Sequence, residues 1–190
     1  MRNVIFLLHL SLDGYVAGPN GEMDWIGYSD EMERYSHELH RSTDAAIYGR
    51  VTYQMMESYF PALLNDPASQ AGDLAHARWL DAATKIVFSR TLESVQWQPS
   101  LLIHDHIAEE VAKLKQQPGK DIWLIGSPSL AHTFMELDLI DEYRFTINPM
   151  ILGSGKKFFG GLPHSLPLKL VDTTVFQNGV TALRYVPANR

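Results

Sequence analysis

Asp121-Ile122-Trp123-Leu124-Ile125-Gly126-Ser127-Pro128-Ser129-Leu130 passes from an apolar run of strand length directly into the start of a helix. Ser127 is a suitable N-cap and Pro128 suits the first helical position, where its missing N–H costs nothing. Leu130, Phe134 and Leu137 continue as a helical apolar stripe. A strand that feeds straight into a helix is the unit from which parallel sheets are built. The turn between them has a second meaning. Glycine lets a backbone approach a ligand closely, and a helix N-terminus offers free N–H groups and partial positive charge to phosphate.

Reading outward from this turn, the same unit repeats. Val4–Leu8, continuing to Leu10 and Leu12 through His9 and Ser11, predicts a largely buried strand. Loop residues follow from Asp13-Gly14 to Gly21. Ser29 caps a predicted helix that opens on Asp30 and Glu31 and buries Met32, Tyr35 and Leu39. A short strand at Asp44–Tyr48 leads through Gly49-Arg50 into a helix over about Val51–Ser58. Residues 60–72 read as a surface loop and Leu74–Leu80 as a helix. Strands at Lys85–Ser89 and Leu101–His104 precede a helix at Ile107–Gln116. After the opening segment come a strand at Glu142–Asn148 and a glycine-bearing loop at Pro149–Phe159. Two last strands, Leu168–Gln177 and Val180–Val186, flank Asn178-Gly179, a strong hairpin signal. The expected fold is therefore α/β: three layers around a mainly parallel twisted sheet, with a C-terminal antiparallel hairpin. One domain over residues 1–190 is expected, since no linker-like stretch divides the chain.

Composition narrows the possible functions. The 190 residues include no cysteine, which excludes disulfides, thiolate catalysis and cysteine metal sites. A formal charge of −6 argues against a nucleic-acid binder, whose footprint is a basic face. No apolar stretch approaches the roughly 20 residues of a membrane span. Only Arg2 precedes the first apolar run and no cleavage-like stretch follows it, so the expectation is a cytoplasmic protein without a leader.

Three predicted strand-to-helix turns stand out: Gly49-Arg50-Val51-Thr52, Ser89-Arg90-Thr91 and Gly126-Ser127-Pro128-Ser129. Ligands of an open parallel sheet bind beyond the carboxyl ends of its strands, where all three would lie. Arg50 and Arg90 add guanidinium forks that match phosphate oxygens. Together these features point to a dinucleotide, although the G-x-G-x-x-G fingerprint is absent. Gly153-Ser154-Gly155-Lys156-Lys157 fails as a Walker motif, because Met150 stands where its first glycine belongs and Lys157 where Ser or Thr would bind magnesium. It reads instead as a loop lining a ligand pocket. His104-Asp105-His106 lacks a third ligand and reads as solvated loop, and no metal is expected. His9 reads as a hydrogen-bonded interior residue. No G-x-S-x-G elbow supports a hydrolase. Asp13 sits where a cleft would open after the first strand, either as a turn former or as a functional acid.

With these residues in view, the chain resembles the dihydrofolate-reductase-like superfamily through most of its length. Leu10-Ser11-Leu12-Asp13-Gly14-Tyr15-Val16-Ala17-Gly18 is similar to its first strand and the loop over the nicotinamide. Trp25 and Asp30 match the tryptophan and carboxylate of the folate pocket. Tyr48-Gly49-Arg50-Val51-Thr52-Tyr53 resembles the Gly-Arg-x-Thr segment that binds cofactor phosphate. Ser89-Arg90 resembles the segment that recognises the 2′-phosphate, and Ile125-Gly126-Ser127 the Gly-Gly turn under the pyrophosphate, with Ser127 in place of the second glycine. Gly126-Ser127-Pro128-Ser129-Leu130, Leu139-Ile140-Asp141-Glu142-Tyr143 and Pro149-Met150-Ile151-Leu152-Gly153-Ser154-Gly155 resemble the reductase domain of riboflavin biosynthesis, the RibD C-terminal family.

The resemblance implies NADPH as cofactor and hydride transfer to a C=N-type carbon of a pyrimidine- or pteridine-like substrate, as in 5-amino-6-(5-phosphoribosylamino)uracil reductase. A dihydrofolate or pterin reductase, and a non-catalytic nucleotide- or flavin-binding module, are the alternatives. Val16 and Ala17 would pack near the nicotinamide. Gly49, Arg50, Val51, Thr52, Ser89 and Arg90 would hold the adenosine side, and Ile125 to Leu130 the pyrophosphate. Trp25, Gly153, Gly155 and Lys156 would meet substrate, with Lys156 or Lys157 toward a substrate phosphate. Asp13 or Asp30 would supply the proton, aided by a raised pKa in an apolar pocket. A homodimer is implied by the family.

Overall fold

The apolar run at the N-terminus forms β1 (Val4–Ser11), and its side chains alternate between two cores. Val4, Phe6 and Leu10 pack on one face of the sheet, Ile5 and Leu7 on the other. A strand covered on both faces has no polar side to show, which is why the sequence reads as a continuous apolar run. The computed structural model describes residues 1–189.

After β1 come β2 (Tyr15–Ala17), α1 (Asp30–Ser42), β3 (Thr43–Gly49), α2 (Arg50–Leu63), α3 (Ala71–Ala82), β4 (Thr84–Phe88) and β5 (Ser100–Ile103). The chain continues through α4 (Ile107–Gln116), β6 (Asp121–Gly126), α5 (Pro128–Glu136), β7 (Glu142–Asn148), β8 (Lys156–Lys157), β9 (Leu168–Val175) and β10 (Thr181–Pro187). The main sheet has the order β5-β4-β3-β6-β1-β7-β10-β9. Its first six strands are parallel to their neighbours, and β10 runs antiparallel to both β7 and β9. The expected parallel sheet and C-terminal hairpin are both present.

The direction of the crossovers assigns the layers. From β1 the chain moves to β3, β4 and β5 in one direction, and α1, α2 and α3 cover one face, where Leu39, Trp79 and Leu80 are packed. It then returns to β6 and β7, and α4 and α5 cover the other face with Val111, Leu114 and Phe134. Right-handed crossovers require this change of face when the chain reverses direction.

Three local expectations need correction. First, α2 does not end near Ser58; it runs to Leu63 with Pro61 in its last turn. Met56 and Phe60 pack against the core that holds Tyr48, Tyr53 and Leu80, and this burial outweighs the local break signal. Second, no helix joins β4 to β5. The connection is pinned by Trp97, whose N–H donates to the Tyr53 hydroxyl (3.0 Å) and whose Nε1 donates to Asp81 (3.0 Å). Third, residues 15–17 and 156–157, read as loop, pair as the antiparallel ribbon β2-β8.

That ribbon is clamped to the body by Phe158. Its ring is 1 % exposed and lies 5.5 Å from that of Phe6, while its carbonyl accepts from His132 Nε2 at 2.8 Å. Phe158→Ala is expected to cost about 3–5 kcal/mol by the cavity it leaves, measured by urea denaturation. Amide exchange should accelerate at residues 150–157 before it does in β1.

Candidate functional site

The sheet creates one place where two helices start on opposite sides of adjacent strands. β3 leads into α2 on one face, and its neighbour β6 leads into α5 on the other. The gap between such diverging turns is where open α/β sheets bind ligands. The two turns are in close contact. A Cβ on Gly49 would lie 2.8 Å from Ser127 Oγ, so a larger residue there would force the Ser127 hydroxyl to move. Gly126 has φ +143°, a conformation that residues with a side chain rarely adopt, and the peptide linking it to Ser127 is cis.

Neither helix start is capped by a side chain. Gly49 has none to offer, and the hydroxyl of Ser127 sits 2.9 Å from that of Ser129 instead. α1 differs, since Ser29 Oγ accepts from the Met32 N–H at 3.3 Å. The expectation that Ser127 caps α5 through its side chain is therefore not met. The first N–H groups of α2 and α5 are left for another acceptor. Arg50, Val51, Ser127, Ser129, Leu130 and Thr133 line a 280 Å³ cleft between the two starts. Each helix start carries about half a positive charge, and Arg50 adds a full one. Thr52 lies behind Gly126: a Cβ there would stand 3.5 Å from its hydroxyl. Pro128 occupies the first turn of α5.

Along the same rim, beyond Gly49, come the ends of β4 and β5. Ser89 Oγ accepts from the N–H groups of Thr91 and Leu92, holding the turn that presents Arg90. Arg90 is 83 % exposed and pairs at 3.4 Å with Asp105, which the sequence reading had passed over as solvated loop. An exposed pair of this kind is worth at most about 1 kcal/mol and is readily exchanged for another partner.

On the other side of β6 lies a 510 Å³ cavity. Its walls are Leu7, Leu8 and His9 of β1, Val16 of β2, Met23 and Tyr28 of the following loop, the polar side of α1, Met56 and Phe60 of α2, the first half of α3, and Trp123 and Ile125 of β6. Ile125 thus borders the cavity while Ser127, two residues on, borders the cleft. Asp30 stands on the cavity wall at the head of α1.

The remaining predicted residues lie elsewhere. Asp13 holds the 149–155 loop: its carboxylate accepts from Ser11 Oγ (2.7 Å), Gly153 N (2.8 Å) and Leu152 N (3.1 Å). These hydrogen bonds, the one from Ser11 foremost, lower its pKa to about 2. That is opposite to the raised value expected of a proton donor, so Asp13 is ionised at neutral pH. Gly153 is thereby tied to Asp13, and Gly155 and Lys156 sit beside β2, with Lys156 acting electrostatically on Glu22. Trp25 donates its Nε1–H to the Glu22 carbonyl at 3.0 Å. Neither it nor the 153–156 segment lines the cavity, and Ala17, 6 % exposed, lies beneath β8.

Beside Asp30, which the sequence offered, the cavity's polar side is made of residues it did not offer: Glu33, His37 and His40 on α1, and Asp73 and His76 on α3. Asp30, Glu33, His37 and His40 recur at spacings of three, four and three along α1, and Asp73 and His76 at three along α3. The signal was a polar helical stripe, overlooked beside the apolar one. His40 Nε2 and His76 Nδ1 share a hydrogen bond of 2.8 Å, and the His40 ring stacks on Trp79 at 5.0 Å. Burial lowers the pKa of His40 to about 3 and that of His76 to about 4; it also lowers His9, bonded to Thr146 at 2.6 Å, to about 4.

Unfolding would release these three imidazoles to protonate near pH 6.5. The unfolded chain therefore binds more protons between about pH 6.5 and 4, and stability falls as pH drops through that window, at up to about 1.4 kcal/mol per pH unit for each histidine. Urea denaturation at pH 7 and pH 5 should differ by a few kcal/mol, and His40→Gln should reduce the difference.

Comparison with known proteins agrees with this fold. The chain is 37 % identical over 191 residues to the uncharacterized protein YyaP of Bacillus subtilis, covering 97 % of this chain and 94 % of that one. A putative riboflavin biosynthesis protein from Shewanella superposes with a TM-score of 0.76 at 24 % identity, covering 98 % and 99 % of the two chains. A Thermotoga maritima diaminohydroxyphosphoribosylaminopyrimidine deaminase/5-amino-6-(5-phosphoribosylamino)uracil reductase gives 0.69 at 15 % identity, over 98 % of this chain and 57 % of that one. The RibD C-terminal domain family matches residues 2–182. The chain belongs to that family and has the dihydrofolate-reductase-like fold.

Proposed function

We propose that this protein is an NADPH-dependent reductase acting on a C=N bond of a pyrimidine- or pteridine-like ring. One observation carries the reading: two helix starts without side-chain caps flank a cleft, and the strand between cleft and cavity, β6, belongs to both. A dinucleotide laid along the rim would place its pyrophosphate between α2 and α5, against Arg50 and the N–H groups of Ser129 and Leu130. Its adenosine end would lie toward Ser89 and Arg90, and its nicotinamide near Val16 and Ile125 at the cavity mouth. The fit rests on backbone N–H groups that no protein side chain uses, beside an Arg50 held by Gln54 at 3.2 Å on an exposed contact.

When bound, the cofactor supplies a hydride to the carbon of the C=N bond, and the nitrogen takes a proton. The protein's part is to position both partners and to exclude water. Of the two candidate acids, Asp30 lines the cavity and Asp13 is tied into the loop, so Asp30 is assigned the handling of the proton. We also propose a homodimer. Leu170, Val171 and Val175 of the edge strand β9 are 46–68 % exposed, apolar surface that a partner would cover.

Stopped-flow measurement of NADPH absorbance on mixing with ribosylaminopyrimidines and pterins tests the reaction; binding without oxidation of the cofactor would reduce the protein to a nucleotide-binding module. Arg90→Ala is expected to weaken NADPH by about tenfold or more, the worth of one charge-assisted contact, and to leave NADH nearly unchanged. Equal loss for both would remove Arg90 from 2′-phosphate recognition. Asp30→Asn should lower turnover by roughly 100-fold, within the range for general acid catalysis, and leave the NADPH Kd unchanged.

A further inference from the structure

Three carboxylates stand on the cavity wall: Asp30 and Glu33 on α1, and Asp73 on α3. Among the described residues that line the cavity there is no lysine and no arginine. Glu33 is partly committed, lying against Gly72 at the start of α3 and 3.8 Å from His37 Nε2. Asp30 and Asp73 have no such partner in the wall. Three of the wall's four imidazoles do not restore the balance, and the fourth, His37, faces Glu33. His40 and His76 satisfy each other, His9 bonds Thr146, and burial keeps all three neutral near pH 7. The two lysines that sequence reading set aside for a substrate phosphate are turned elsewhere: Lys156 toward Glu22, Lys157 over the Tyr15 ring at 5.4 Å.

A second feature of the cavity points to what it accepts. Trp123, 7 % exposed, lines the floor, and its buried indole N–H has no hydrogen-bond partner. Around it stand the rings of Phe60, His76 and His40, with His76 5.7 Å and His40 5.8 Å from the indole. A floor of flat rings suits a planar heterocycle. The carboxylates above it suit ring N–H and amino groups.

We infer that this cavity takes an unphosphorylated, amino-bearing heterocycle and discriminates against the phosphate ester of the same compound. A phosphate would add nearly two negative charges to a wall whose three carboxylates outweigh the partial positive charges of the α1 and α3 starts, where Asp30 and Asp73 themselves lie in the first turns. The inference rests on the reductase reading for the identity of the cavity as the substrate site, but it concerns a different property. It separates this chain's substrate from the phosphoribosyl compound named for the Thermotoga enzyme.

The test uses the full chain and the pair 5-amino-6-(ribosylamino)uracil and its 5′-phosphate, each titrated against intrinsic tryptophan fluorescence, which Trp123 and Trp79 report from the cavity floor. Titrations are run with and without NADP⁺. The unphosphorylated compound should bind at least about tenfold more tightly, and the gap should narrow as salt screens the repulsion. Asp73→Asn should also narrow it, by strengthening the phosphate ester's binding relative to the parent compound's. Equal binding, tighter binding of the phosphate ester, or no response to either compound would overturn the inference. The NADP⁺ cleft is read separately by calorimetry. Failure there would remove the reductase reading and leave the comparison of the two compounds standing.

Discussion

The contact between the turn after β3 and the turn after β6 is the constraint on which the site depends. Gly49 and Ser127 approach so closely that a single added carbon on Gly49 would collide with the serine. That closeness brings two helix starts to the same gap from opposite faces of the sheet. The partial charge of one helix terminus is a weak attraction in water, and it fades within a turn. Two termini and a guanidinium directed at one small volume, with N–H groups that no side chain has claimed, form a site that can hold a diphosphate without a lysine-bearing loop.

The second dependence is on β6 itself. Its last residues face two ways: Ile125 forms part of a deep cavity and Ser127 part of a shallow cleft. A molecule that spans both sides must cross the strand end beside Gly126, where no side chain intervenes. Hydride transfer needs two ligands held edge to edge at a fixed separation, and a strand end common to both compartments sets that separation through backbone rather than flexible side chains. Asp13 and Phe158 serve the same end from a distance. They fix the 149–159 loop, and through β8 they fix β2, which brings Val16 to the cavity.

The cavity differs in character from the cleft. The cleft gathers positive charge, whereas the cavity gathers carboxylates, neutral imidazoles and indoles. Placing opposite electrostatic environments on either side of one strand sorts two ligands, since an anionic tail is drawn to one side and a proton-rich ring to the other. The same burial that keeps the histidines neutral makes the fold sensitive to acid.

Much of this was legible in the sequence. Apolar runs bounded by glycine, each followed by a helical stripe, specify a parallel sheet because local hydrogen bonding and burial on both faces leave few alternatives. Gly49-Arg50 and Gly126-Ser127 were recognisable as strand-to-helix turns because their chemistry is local, and Asn178-Gly179 as a hairpin for the same reason. Which residues meet across the fold was not legible. Trp25, Gly153, Gly155 and Lys156 have side chains or backbone suited to a substrate, yet lie outside the cavity. His40 and His76, 36 positions apart, share a proton inside it. Asp13 looked like an acid with a raised pKa until the N–H groups of Leu152 and Gly153, some 140 residues later, were found bonded to it. Element type and turn chemistry follow from neighbours in the chain. The charge, burial and proton affinity of a side chain follow from neighbours in space, and only tertiary packing supplies those.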